Sequence, residues 1–152
     1  MKITELIDLP LIELNLKAKS KDQVIHELCG LLKSDNRISD IDLFIDDIYE
    51  REALGSTGIG FKIAIPHTKS KYVTKPSLVF GRSEHSIEFE SLDNEPAKLF
   101  FLIAMPEAGS NSHLQVLALL SRNLIHEEFR EQLLEAKTAV EALSILKTID
   151  KA

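Results

Sequence analysis

In the first third of the chain, an alternating segment is followed by two segments whose apolar positions recur at helical spacing. In residues 12–16, isoleucine and leucine alternate with polar residues, which predicts a strand. Ser20 and Gln23 form a capping box ahead of an apolar stripe, which predicts a helix to about Lys33. A second helix is predicted over residues 39–54, with one apolar face made of Ile41, Phe44, Ile45 and Ile48.

The middle of the chain contains short apolar runs that predict strands. Residues 63–65 form one such run, which ends at a proline–histidine pair, and residues 78–80 form another. Residues 87–89 alternate over a shorter length. Residues 99–105 are nearly all apolar, as expected of a strand that is covered on both faces.

The last third of the chain predicts three helices. Ser112 and Gln115 form a capping box at the start of the first, the second covers residues 127–134, and another capping box begins a third over residues 138–147. Helices at both ends and strands between them indicate an α/β or α+β sandwich around one central mixed sheet.

Length and composition narrow the possible classes of protein. The 152 residues fit one domain over residues 1–152, and 44% apolar with 28% charged residues is typical of a globular chain. No apolar run is long enough to span a membrane, and the acidic N-terminal segment does not resemble a signal peptide. Cys29 is the only cysteine, so no internal disulfide can form and we expect a cytoplasmic protein. The net charge of −6 argues against broad binding to nucleic acid or anionic lipid.

A glycine-rich turn precedes the proline–histidine pair. Gly55, Gly58 and Gly60 allow positive φ and a close approach to a ligand, so the turn could aim N–H groups at an anion. The hydroxyl of Thr57 adds a donor. We therefore predict phosphate contacts at Thr57, Gly58 and Gly60. The spacing matches neither a P-loop nor a dinucleotide fingerprint.

His67 is the strongest candidate for chemistry. Pro66 fixes the direction in which the chain leaves the strand, and neutral imidazole is a competent nucleophile near neutral pH. A phosphoryl group on imidazole is labile, which suits a carrier. Arg51 could bind phosphoryl oxygens, and His113, in the first turn of a predicted helix, could donate a hydrogen bond to them or orient His67.

Simpler interpretations of the same residues remain open at this point. His67 could be an ordinary residue at a strand end, His113 an ordinary residue at a helix start, and Arg51 a solvated helix end. The five histidines and one cysteine show no metal-ligand spacing, so we expect no metal and no cofactor. The phenylalanines are expected in the core, with Phe61 the best candidate for a partner-facing exception.

The candidate residues together resemble a known family. The run STGIGFKIAIPH, preceded by Arg51 and Glu52 and followed about 45 residues later by His113, resembles the fructose/mannitol-type enzyme IIA domains of the bacterial phosphotransferase system. The opening LIDLPLIELNLKAKSKDQVIHEL is similar to the first strand and helix of that family, and the residues of the motif are closest to those of fructose-specific members. In one departure, Thr68 stands where the family often has a small residue.

The resemblance implies a fold, a reaction and partners. The fold would be a mixed, about five-stranded sheet flanked by helices on both faces. Nε2 of His67 would accept a phosphoryl group from the phosphocarrier HPr, with His113 and Arg51 in the active site. A cysteine of a IIB domain would receive it for the uptake of sugar, which we expect to be fructose.

Two alternative functions use the same histidine. A nitrogen-type regulatory IIA protein would keep His67 but use its phosphorylation state to control protein partners. A metal-free hydrolase with His67 as base is disfavoured, because the sequence offers no nucleophile with a matched third group.

Overall fold

Six strands form one mixed sheet at the centre of the fold. The computed structural model describes residues 2–108 and 112–151, apart from the side chains of Ser112 and Lys151. The strands are β1 (Ile12–Glu13), β2 (Gly58–Gly60), β3 (Ile63–Ala64), β4 (His67–Ser70), β5 (Ser77–Ile87) and β6 (Ala97–Pro106). Their order across the sheet is β1-β5-β6-β3-β2, and β4 pairs with β6 beyond the end of β3. The six strands therefore fill five positions, which confirms the predicted mixed sheet.

Strand directions explain how β3 and β4 share one neighbour. Both run parallel to β6, whereas β5 runs antiparallel to its other edge. At the two ends of the sheet, β1 is parallel to β5 and β2 is antiparallel to β3. The long strand β6 is thus the scaffold that fixes where β4, and with it His67, is placed.

Five helices are described: α1 (Lys21–Ser34), α2 (Ile41–Glu52), α3 (Ser112–Leu124), α4 (Glu127–Glu135) and α5 (Ala139–Lys147). Short 3₁₀ turns occupy Ile3–Glu5, Leu9–Leu11 and Thr148–Lys151. Two predicted caps are present, because Ser20 accepts from the N–H of Gln23 and Thr138 from that of Glu141. The predicted cap at Ser112 lies outside the described residues. Across residues 2–108 and 112–151, no helix combines the length and the apolar character needed to cross a membrane.

Helices cover both faces of the sheet, as the pleat of β5 shows. A Cβ on Gly81 would lie 2.7 Å from Leu28 of α1. The next side chain, Arg82, donates instead to the carbonyls of Leu133 and Ala136 at the end of α4. Successive residues of a strand point to opposite faces, so α1 and α4 lie on opposite sides.

The core follows the predicted apolar runs, with two differences in the extent of the strands. Residues 99–105 are buried, as expected of a strand covered on both faces. The predicted strand at 12–16 shrinks to β1, although Leu16 still bonds to Arg82. The strand predicted at 78–80 is confirmed but is longer than predicted, because β5 runs from Ser77 to Ile87 and so includes the first residue of the alternating piece at 87–89. Pairing with β6 stops after Arg82 and resumes at Ile87, so the polar stretch between them forms an irregularity in the ladder.

Candidate active site around His67

His67 is held at the start of β4 by pairing to the buried strand β6. Its partner in register is Ile103, whose N–H donates to the carbonyl of Pro66 at 3.0 Å. The residue is 8% exposed. The backbone on which the imidazole is mounted is therefore part of the rigid sheet, while one edge of the residue reaches solvent.

The tautomer of His67 follows from one hydrogen bond. Nδ1 lies 2.7 Å from the carbonyl oxygen of Ile65, and a carbonyl can only accept. Nδ1 therefore carries the proton, and the lone pair of the neutral ring is on Nε2. The pKa of His67 lies below its usual value, chiefly through burial and also through the charge of Arg51, against opposing effects of the Ile65 carbonyl and Glu52. Near neutral pH the ring is neutral, and its lone pair at Nε2 is available for bonding.

His113 lies across from His67, as the sequence predicted. The ring centroids are 6.4 Å apart and the planes are tilted by 34°. Among the described residues, the buried Nδ1 of His113 has no hydrogen-bond partner. Burial, His67 and Lys69 all lower the pKa of His113. A second neutral imidazole with hydrogen-bonding capacity thus stands beside the nucleophile.

Arg51 reaches the same region from the last turn of α2. It is half-buried, and its Nη1 donates to the carbonyl of Gly55 at 2.9 Å. It also lines an open cleft of about 370 Å³ together with Thr68 and Lys69. A guanidinium has five N–H donors, so this bond leaves others for an anion. Its effect on the pKa of His67 shows that its charge is felt at the imidazole.

The predicted phosphate contacts of Thr57 and Gly58 are not supported by the geometry. Both the N–H and the hydroxyl of Thr57 donate to the carboxylate of Glu52. The N–H of Gly58 donates to Oγ of Ser56 at 3.1 Å. The turn is close to His67, since Ile65 donates to the carbonyl of Thr57, but the donors expected to bind phosphate are already used.

Gly60 is not brought to the nucleophile. It pairs with Ile63, whose register partner on β6 is four positions from that of His67. Four strand residues span ~13 Å, too far for contact with a phosphoryl group on the imidazole. Gly60 has a φ of 104° and Phe61 beside it has a φ of 56°. Both belong to the β2–β3 turn, where a positive φ closes the hairpin.

Phe61 lies at the far end of that hairpin instead of in the core. Its side chain is 55% exposed, and the guanidinium carbon of Arg130 lies 4.7 Å from the ring centroid. The other phenylalanines are buried, except for the half-buried Phe129. Phe61 is therefore exposed as the sequence allowed, but away from His67.

The sequence did not predict Glu52 or Lys21 as residues of the site. The Glu52 side chain is 6% exposed, and one of its oxygens lies 3.0 Å from Nζ of Lys21. A carboxylate at the C-terminal end of a helix is unfavourable, because it faces the negative end of the helix dipole. This unfavourable position of Glu52 was the feature of the sequence that could have drawn attention to it. Cys29, in contrast, has no chemical role here, because burial raises its pKa to about 12.

Comparisons with known families and sequences support the family resemblance seen in the sequence. The family model described as "Phosphoenolpyruvate-dependent sugar phosphotransferase system, EIIA 2" matches residues 5–149. A fructose-specific EIIABC component of Bacillus subtilis is 43% identical over 99% of the chain, which spans 24% of that longer relative. A fructose-specific EIIA component of Haloferax volcanii is 41% identical over 97% of the chain and 96% of its own length.

Two solved structures share the fold. The nitrogen regulatory protein IIA-Ntr of Neisseria meningitidis has a TM-score of 0.88 and 30% identity over 95% of this chain and 98% of its own. The enzyme IIAMTL structure in complex with phosphorylated enzyme IIBMTL of Escherichia coli has a TM-score of 0.80 and 26% identity, over 93% of this chain and 97% of its own.

Proposed function

The chain belongs to the EIIA 2 family of the phosphoenolpyruvate-dependent sugar phosphotransferase system, and we propose that it carries a phosphoryl group on Nε2 of His67. The observation that carries this proposal is the 2.7 Å bond from Nδ1 to the Ile65 carbonyl, which leaves Nε2 as the nucleophile. Burial keeps the ring neutral by lowering its pKa. The proposal includes the cytoplasmic compartment that the sequence predicted.

The proposed reaction consists of two transfers. In the first, the Nε2 lone pair of His67 attacks the phosphorus of phospho-HPr. The P–N bond to the histidine of HPr breaks, and the imidazole of HPr keeps the electron pair of that bond. In the second, a cysteine thiolate of a IIB protein attacks phosphorus and the pair returns to Nε2. The solved complex of a related IIA with phosphorylated IIB supports the second step. No metal takes part, because the donor is already activated.

Arg51 and His113 would share the charge that spreads over the phosphoryl oxygens. Arg51 keeps free N–H donors beside the cleft. The ring centroids of His113 and His67 are 6.4 Å apart, which places a second imidazole near a phosphoryl group carried on His67. A neutral imidazole on one side and a guanidinium on the other would stabilise the transferring group.

Fructose is the proposed sugar, on the strength of two fructose-specific relatives at 41–43% identity. A regulatory role is the second candidate, because the nitrogen regulatory protein of Neisseria meningitidis shares the fold at a TM-score of 0.88. The two differ in the acceptor. Transfer from the phosphorylated chain to a fructose-type IIB protein would favour transport, and its absence with intact phosphorylation would favour regulation.

The central test is phosphorylation by phosphoenolpyruvate, enzyme I and HPr. We expect intact-protein mass spectrometry to show one added phosphoryl group, stable in base and lost in acid. His67→Ala should abolish it, while Cys29→Ala, in the core, should not. Undiminished phosphorylation of the His67→Ala protein would overturn the proposal.

A further inference from the structure

We propose that Glu52 is a positioning residue for His67, which rests on the phosphoryl-transfer function proposed above. Glu52 does not reach the imidazole itself. It acts through the backbone of Thr57 and the carbonyl of Ile65, which holds Nδ1. The result is a fixed ring orientation and a fixed tautomer at the nucleophile.

The carboxylate of Glu52 is buried and fully partnered. Oε2 accepts from the N–H of Thr57 at 3.2 Å and lies 3.0 Å from Nζ of Lys21. Oε1 accepts from the hydroxyl of the same threonine. One carboxylate therefore fixes both the backbone and the side chain of Thr57.

From Thr57 two hydrogen bonds lead to His67. The N–H of Ile65 donates to the carbonyl of Thr57 at 2.9 Å. The carbonyl of Ile65 in turn accepts from Nδ1 of His67 at 2.7 Å. The two bonds fix the position and direction of the carbonyl that faces Nδ1, so the orientation of the imidazole depends on where Glu52 holds Thr57.

The location of Glu52 is costly for the fold alone. It is the last residue of α2, where the partial negative charge of the helix end repels a carboxylate. Burying a charge adds a desolvation penalty that a neutral residue would avoid. Such a local conflict is expected where a residue serves the site rather than the helix.

The charge of Glu52 also suits the transfer step. When Nε2 bonds to phosphorus, the ring becomes cationic and Nδ1–H becomes a stronger donor. Besides Glu52, the charged groups that act on this pair of histidines are Arg51 on α2, which acts on His67, and Lys69 on β4, which acts on His113. Arg51 disfavours positive charge on His67 and Glu52 favours it, so the carboxylate offsets the guanidinium that the phosphoryl group needs.

The test uses the full chain with Glu52→Gln, which keeps the shape and one of the two acceptor oxygens but removes the charge. Nitrogen-15 NMR titration of the unphosphorylated protein should show a lower pKa for His67 and a smaller fraction of the Nδ1–H tautomer. Phosphorylation by phospho-HPr should slow by about ten- to a hundredfold, the range expected from a small misplacement of a reacting group. Asp46→Asn, which removes an exposed carboxylate from the same helix, should change none of these.

A second pair of variants covers the case in which Glu52→Gln does not fold. Thr57→Val removes the hydroxyl that Glu52 accepts from and should slow phosphorylation, while Thr57→Ser should restore it. A folded Glu52→Gln protein with wild-type tautomer, pKa and rate would overturn the positioning role. If wild type takes no phosphoryl group at all, the proposed function fails, and the titration still decides the role of Glu52.

Discussion

Gly58→Ala tests whether this glycine serves packing or phosphate binding. A Cβ at this position would lie 2.6 Å from Oγ of Ser91, 2.9 Å from the carbonyl oxygen of Phe89 and 2.9 Å from Cα of Ser91. Two of these atoms belong to the backbone, which cannot rotate away as a side chain does. Alanine keeps the N–H, so a phosphate contact through that N–H would survive the substitution.

The expected cost is that of overpacking a buried site, about 1–3 kcal/mol of unfolding free energy. For a chain of this size, 2 kcal/mol corresponds to roughly 4–8 °C in melting temperature. Gly30→Ala is the matched control. Nothing lies within 4 Å of its Cβ and it sits inside α1, so we expect a gain of about 0.5–1 kcal/mol.

The assay is urea unfolding of wild type and both variants, followed by circular dichroism. Gly58→Ala should lower the midpoint without changing the slope, and Gly30→Ala should raise it. A Gly58→Ala protein as stable as wild type would refute the packing explanation and return Gly58 to the list of candidate phosphate contacts.

Three further outcomes are expected. His113→Ala should fold and bind HPr but transfer phosphate at least about tenfold more slowly, as measured by quenched-flow phosphorylation; an unchanged rate would remove it from the site. Arg82→Met leaves the carbonyls at the end of α4 without the guanidinium that donates to them, so the unfolding free energy should fall by about 2–4 kcal/mol. Phosphorylation of His67 should persist, and its loss in a folded variant would contradict this prediction. Because folding lowers the pKa of His67, the unfolded state binds more protons just below the usual imidazole value of about 6.5. Stability should therefore decrease as the pH is lowered below that value and stay level above it. His67→Gln should flatten that pH dependence in urea titrations, and an unchanged profile would contradict the assignment.

Local patterns predicted the helices and their caps well. Ser20 and Thr138 cap α1 and α5 as their spacing indicated, because a cap involves only residues three apart. β5 was underestimated for the opposite reason. Its residues 84–86 are polar and exposed, and the strand is recognised past them because pairing with β6 resumes at Ile87. Phe61 and Lys62 adopt positive φ without a glycine signal, because the β2–β3 connection requires it.

The sequence by itself was enough to select His67 as the candidate nucleophile. A histidine after an apolar run and a proline is a local feature, and the surrounding motif identified its family. It also suggested His113 and Arg51, since the family motif includes them. The prediction of phosphate contacts at the glycines was less secure. A glycine is found both where a ligand approaches the backbone and where the backbone packs tightly, and the sequence does not distinguish these two cases.

Only the tertiary structure decided which groups act together. His113 meets His67 because α3 follows β6 and packs where β4 begins, a contact between residues far apart in sequence. Burial set the neutral state of His67, and the carbonyl of Ile65 set its tautomer. Glu52 gained its role when the chain folded Thr57 against it. Residue identity supplies the chemical groups, but hydrogen bonds, burial and charge act at distances that exist only in the folded chain.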